Sequence, residues 1–234
     1  MIEYAIITSA RAKHASLRVS PIGEIQFVIP KHNRSRIDVD ALVQKNSSWL
    51  IATQKRISAN RKVHPDADRL EPLRLDLALT NQSFTICYLS GATKKCVKTG
   101  IDCVDRLNVF YINHQEIGEL LQTWLKRQAV EILNPLVAKL SEETGLLYSG
   151  LTVRNQKTRW GSCSSRQRIN INRNLLFLSP DLVRYLIIHE LCHTKHMNHS
   201  NKFWSLVGQF EPRYRELDRA LNKAHNYIPL WALK

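Results

Sequence analysis

His189-Glu190-Leu191-Cys192-His193, with His199 further on, reads H-E-x-x-H-x-x-x-x-x-H. Two histidines four apart on a helix lie on one face, a turn apart. Both imidazoles can therefore reach one metal ion, at Zn–N distances of about 2.0–2.1 Å. Glu190 follows the first of them and sits beside that face, placed to take a proton from a metal-bound water. His199 is too far along to share the face in a straight helix, so the chain must turn after His193 and bring it back. Three protein ligands and one open position describe a catalytic zinc site, not a structural one. His189, His193 and His199 are the expected metal ligands, and Glu190 the expected general base.

The residues around the motif favour a buried helix. Leu182-Val183-Arg184-Tyr185-Leu186-Ile187-Ile188 is mostly apolar. Ser179-Pro180-Asp181 is a good helix start, with Ser as N-cap, Pro at the first helical position and Asp favourable to the dipole. His196 competes with His199 as third ligand, because it would continue the same helix near the face of His189 and His193. His199 is preferred, with the turn expected around Met197-Asn198, since Asn tolerates left-handed backbone angles.

The chain has 234 residues, 44% of them hydrophobic, enough for one large or two small globular domains. No apolar run is as long as a membrane span. The stretch Met1–Arg11 lacks a basic n-region and a proper h-region, so a cytoplasmic location is expected. The five cysteines form no C-x-x-C pair, which argues against a disulfide framework or a cysteine-rich zinc knuckle. Net charge is +14. Between Glu143 and Asp181 there is no acid, against six bases: Arg154, Lys157, Arg159, Arg166, Arg168 and Arg173. That segment precedes the metal helix. It reads either as a positive approach for polyanions or as a solubilising face.

Along the chain, residues 14–30 read as a β-hairpin ended by Pro30, and residues 37–60 as one helix. A linker is expected over 61–72. Short strands are expected around Leu73–Leu79, Ser83–Leu89, Lys95–Val97 and Leu107–Ile112. Glu116–Thr144 is a long amphipathic helix that Pro135 should kink or split, with Gly145 as its C-cap. Strands at Leu151–Arg154, Arg159–Ser162 and Arg168–Asn172 precede the metal helix. Helices capped at Ser200 and beginning at Pro212 follow it. The fold class is α+β: a β-rich N-terminal region with one helix, residues 1–114, then a hydrolase domain, residues 115–234. The latter has a small sheet, a metal-binding helix and C-terminal helices.

Several segments together resemble the YgjP-like metallopeptidase family, relatives of the SprT and WLM zincins. They are Arg159-Trp160-Gly161-Ser162-Cys163-Ser164, Ile169-Asn170-Ile171-Asn172 with Leu175-Leu176-Phe177-Leu178, the His189–His193 helix, and Met197-Asn198-His199-Ser200 with Phe203-Trp204. The likeness runs from about residue 115 to 225 and, less distinctively, into the Val28-Ile29-Pro30 strand and the Trp49 helix. It implies a zinc-dependent hydrolase of zincin type, with His189, His193 and His199 on the zinc and Glu190 as base. It also implies that the Arg159–Cys163 strand lies beside the site as an edge for substrate, with Arg159 and Trp160 as substrate-binding candidates. Cys192 stands where Ala is frequent in the family, and His196 where an acidic or other polar residue is frequent.

An intracellular zinc metallopeptidase is the leading expectation. A zinc-dependent hydrolase of nucleoside triphosphates or other phosphoanhydrides is the alternative that the basic stretch would suit. A nucleic-acid-associated protease or binding protein is a third. Trp160, Phe203 and Trp204 can equally be core residues around the metal helix. Arg159, Arg154 and Tyr214 are the candidates for stabilising an oxyanion.

Overall fold

The computed structural model describes residues 3–20, 23–31, 38–60, 69, 71–91, 93–100 and 105–233. By its internal contacts the chain divides into two compact units, Met1–Lys62 and Val63–Lys234.

The first unit holds strands β1 (Tyr4–Ser9), β2 (Ser16–Val19) and β3 (Ile25–Pro30), in the order β1-β3-β2. β2 and β3 form the expected antiparallel hairpin, and β1 adds in parallel to the other side of β3. Alternation along β3 buries Ile25, Phe27 and Ile29 against Val43 and Leu50 of the two following helices. The single helix expected over 37–60 is two, α1 (Val39–Lys45) and α2 (Ser47–Asn60). Asn46 separates them, its side-chain amide donating to the Leu42 carbonyl at 2.8 Å and competing with the helical ladder. Ile37 lies outside the described residues, as do residues 61–68 and 70 of the expected linker.

The second unit begins with a four-stranded sheet, β4 (Arg74–Leu77), β5 (Gln82–Leu89), β6 (Cys96–Thr99) and β7 (Arg106–Phe110), in the order β4-β5-β7-β6. Helix α3 (Ile117–Thr144) follows. A second sheet holds β8 (Gly150–Arg154), β9 (Gly161–Cys163) and β10 (Arg168–Asn172), in the order β8-β10-β9. A 3-10 turn (Arg173–Phe177) leads to α4 (Pro180–Cys192), α5 (Asn201–Phe210), α6 (Tyr214–Leu221) and α7 (Leu230–Leu233). The architecture is α+β, and among the described residues no helix is long and apolar enough to cross a membrane.

Pro135 does not split α3, which runs unbroken to Thr144. Leu133, Val137 and Leu140 on either side of it are buried, and that packing holds the helix across the missing N–H. The four-stranded sheet lies in the second compact unit, Val63–Lys234. Leu75, Leu77, Phe84, Ile86, Leu107 and Val109 of the four-stranded sheet share one core with α3 and α4. The sheet's apolar face needs a cover, and α3 supplies it, with Phe84 edge-on to Trp124 at 5.7 Å.

Candidate metal centre

Helix α4 begins as its sequence predicts, with Ser179 extended at the N-cap, Pro180 in the first turn and Asp181 following. Its apolar residues place nine positions in the interior, from Leu182 to Cys192, including Glu190. His193 is the C-cap of α4 and keeps right-handed angles, φ −64° and ψ −19°, so its ring stays one turn from that of His189. The chain then leaves the axis through turns in which the N–H groups of Lys195 and His196 both donate to the Cys192 carbonyl, at 3.1 and 3.0 Å. Neither Met197 nor Asn198 takes a left-handed conformation. The turn expected there is made by negative-φ bends. It brings His199, just before the N-cap of α5, back to the exposed face of α4.

The three rings meet. His193 Nε2 and His199 Nε2 each lie 3.2 Å from His189 Nε2. Two nitrogens bound to one tetrahedral zinc at about 2.0–2.1 Å would lie about 3.3 Å apart. The donor set thus fits a cation, and the ligand atoms of His189, His193 and His199 all lie within 4.8 Å of one another. The protonation of the rings fits it too. His193 Nδ1 donates to the His196 carbonyl at 3.0 Å, which leaves Nε2 free of hydrogen. Burial, and then the neighbouring imidazoles, push His189 down to about 3, and burial lowers His193, so both rings are neutral as ligands must be. His196 enters this arrangement through its backbone carbonyl. Its ring is not among the convergent groups.

Glu190 is 5% exposed, and its Oε2 has no hydrogen-bond partner within the protein. Burial pushes its carboxyl up to about 8, against the opposing pull of the Arg159 charge. The carboxyl rests on Gly161, the first residue of β9. A Cβ there would lie 2.5 Å from Oε1 and 2.8 Å from Cδ of Glu190. The tryptophan-glycine pair of the sequence motif is therefore a packing requirement: only a residue without a side chain lets the glutamate lie flat on the strand. Cys163, two residues on, has its thiol pushed up to about 11 by burial and by the Glu190 charge.

The remaining expected residues separate. Arg159 is exposed and precedes β9. Trp160 is 8% exposed, its indole N–H donates to the Leu221 carbonyl at 3.2 Å, and its ring packs on His225 at 4.4 Å. Its side chain is packed into the core just ahead of β9, held by those two contacts. Phe203 stacks on His193 at 4.4 Å, and Trp204 on His199 at 5.5 Å. Tyr214 stacks on the other side of Trp204 at 5.3 Å, its hydroxyl accepting from Arg215. Arg173 leaves the basic face altogether. It is 5% exposed and donates to the Gln122 carbonyl, the Gln122 side chain and the Ala232 carbonyl. Burial draws it down to about 10. Arg154, Lys157, Arg159, Arg166 and Arg168 remain exposed.

Two residues near the site escaped the sequence reading. Tyr185 lies one turn before His189, and its hydroxyl is 3.4 Å from His189 Nδ1 and 2.8 Å from Asp218 Oδ1. The four-residue spacing was visible. The partnership with α6 was not.

A family model described as YgjP-like, metallopeptidase domain, matches residues 13–224. The chain belongs to that family. It is accordingly a metal-dependent hydrolase of the metallopeptidase type. Two solved structures also align with this YgjP-like chain. One is the metallopeptidase zymogen of Pyrococcus abyssi, abylysin, at 26% identity over 39% of this chain and 94% of that one, TM-score 0.36. The other is the metallopeptidase zymogen of Methanocaldococcus jannaschii, jannalysin, at 20% identity over 38% and 93%, TM-score 0.35. Both leave most of this chain uncovered, and the assignment rests on the family match. A comparison with curated proteins gives no match.

Proposed function

We propose that this chain is an intracellular zinc peptidase in which His189, His193 and His199 hold the ion and Glu190 is the general base. The observation that carries the reading is the convergence of three imidazole nitrogens beside a buried carboxylate whose Oε2 has no partner. Zinc, which such a nitrogen set with an open position favours, supplies a Lewis acid and an acidified water.

The chain's own residues do the rest. Glu190 takes a proton from the attacking water and delivers it to the leaving amine, and its raised basicity suits that exchange near neutral pH. Strand β9 is at the edge of its sheet, so Gly161–Cys163 can offer backbone groups to an extended peptide. Arg159 enters that edge with an exposed guanidinium close enough to act on the Glu190 carboxyl, and is assigned to substrate. The chemistry resides in residues 115–234, with β4–β7 as the foundation of the same core. The four free thiols among the described residues, Cys87, Cys96, Cys163 and Cys192, suit a reducing compartment.

The five exposed cations around β9 favour a second reading, hydrolysis of phosphoanhydrides, with nucleic acid as a surface partner. One experiment separates the two. Zinc-loaded protein is offered casein, a nucleotide panel and DNA, with Glu190→Gln beside it. Casein cleavage is expected, with the variant down roughly 10²–10⁴-fold and its zinc content unchanged. Phosphate or pyrophosphate release without proteolysis would overturn the peptidase assignment.

A further inference from the structure

We infer that Asp218 and Tyr185 are positioning residues that set which nitrogen of His189 carries hydrogen. The assignment rests on the reading of the three histidines as metal ligands.

Tyr185 and His189 are four residues apart on α4, with ring centroids 5.9 Å apart and edge-on at 71°. The tyrosine is fully buried. Its hydroxyl sits between Asp218 Oδ1, at 2.8 Å, and His189 Nδ1, at 3.4 Å. An ionised carboxylate only accepts, and a phenol has one proton to give. That proton goes to Asp218. The phenol oxygen therefore faces His189 as an acceptor, and Nδ1 must bear the hydrogen. His189 Nε2 is then a bare lone pair. It is the hub of the triad, 3.2 Å from each of the other two nitrogens.

Asp218, not the tyrosine, decides the direction. Without the carboxylate the phenol could donate to Nδ1. The ring would then carry its hydrogen on Nε2, aimed at the other two ligands and occupying the position a cation needs. His193 is protected from that fate locally, by the His196 carbonyl. His189 depends on a residue 29 positions away in sequence. The same helix also reaches the third ligand: Tyr214, four residues before Asp218 and on the same face of α6, stacks on Trp204, which stacks on His199. Helix α6 thus backs two of the three ligands. Outer partners of this kind typically change metal affinity 10–100-fold.

The test uses the full chain with ¹⁵N-labelled histidine, free of metal, and long-range ¹H–¹⁵N spectra that report each ring's tautomer. Zinc affinity is measured alongside by competition with a chromophoric chelator. Wild-type His189 should carry hydrogen on Nδ1. Asp218→Ala should move it to Nε2 and weaken zinc binding about 10–100-fold. Tyr185→Phe, which deletes only a hydroxyl, should give a mixed tautomer and a similar loss. If the pair merely ties α4 to α6, both variants melt earlier but keep the Nδ1–H tautomer and a zinc Kd within about twofold of wild type. That result would overturn the inference. A wild-type chain that binds no zinc would overturn the metal reading beneath it.

Discussion

Glu190 is the residue at which folding and chemistry conflict. Its carboxyl is buried, one oxygen is unpartnered, and it rests on bare backbone at Gly161. Burial pushes that carboxyl up to about 8, so near neutral pH folding must take up a proton that the unfolded chain does not bind, and this costs stability. In metal-free protein, Glu190→Gln should therefore raise the melting temperature by several degrees, at about 2–4 °C per kcal/mol for a chain of this size. Scanning calorimetry at neutral pH checks this, and an unchanged or lower midpoint would refute it. Gly161→Ala tests the opposite side of the same contact. The new methyl would occupy the place of Glu190 Oε1, so the carboxyl must move and turnover should fall by at least about 10²-fold. Zinc content should remain near one per chain, since the three atoms nearest that methyl all belong to Glu190. Full activity in the variant would show that the strand yields easily.

At the scale of elements, α4 and its C-cap carry His189, Glu190 and His193, the proposed ligands and base, on neighbouring positions of one helix, and α6 and β9 pack against it. α3 is the scaffold beneath. Its C-terminus is closed by Gly145 at φ +66°, whose N–H donates to the Glu142 carbonyl. A Cβ at that glycine would meet nothing within 4 Å, so Gly145→Ala carries only the backbone cost of a left-handed residue. That cost is about 1–2 kcal/mol. A drop of roughly 2–8 °C in the melting of the Val63–Lys234 unit is expected, with kcat unchanged at assay temperature. A loss of activity without a loss of stability would mean that α3 does more than support.

For the whole molecule, the proposed ion couples function to stability. If zinc binds the folded triad and not the unfolded chain, saturation at 100 times Kd adds about 2.7 kcal/mol. A chelator should then lower the transition of the Val63–Lys234 unit by roughly 5–10 °C. That of Met1–Lys62 should stay where it is. In His189→Ala the chelator should change neither transition. Much of this was legible beforehand. The H-E-x-x-H spacing, the apolar run before it, the Ser179-Pro180-Asp181 start and the alternation of Ile25, Phe27 and Ile29 are local patterns, and local patterns follow from helix and strand periodicity. The order of elements came from the same source, while the preference for His199 over His196 came from the ligand spacing of zinc hydrolases and not from helix periodicity. Contacts between elements distant in sequence leave no such period. Only the tertiary structure turned Trp160 into the core, drew Arg173 off the basic face, joined β4–β7 to the catalytic core, pressed Glu190 onto Gly161 and set Asp218 behind His189. Burial and hydrogen-bond partnership are properties of what packs against a residue, and in this chain the partners that decide the metal centre come from strands and helices on both sides of the motif.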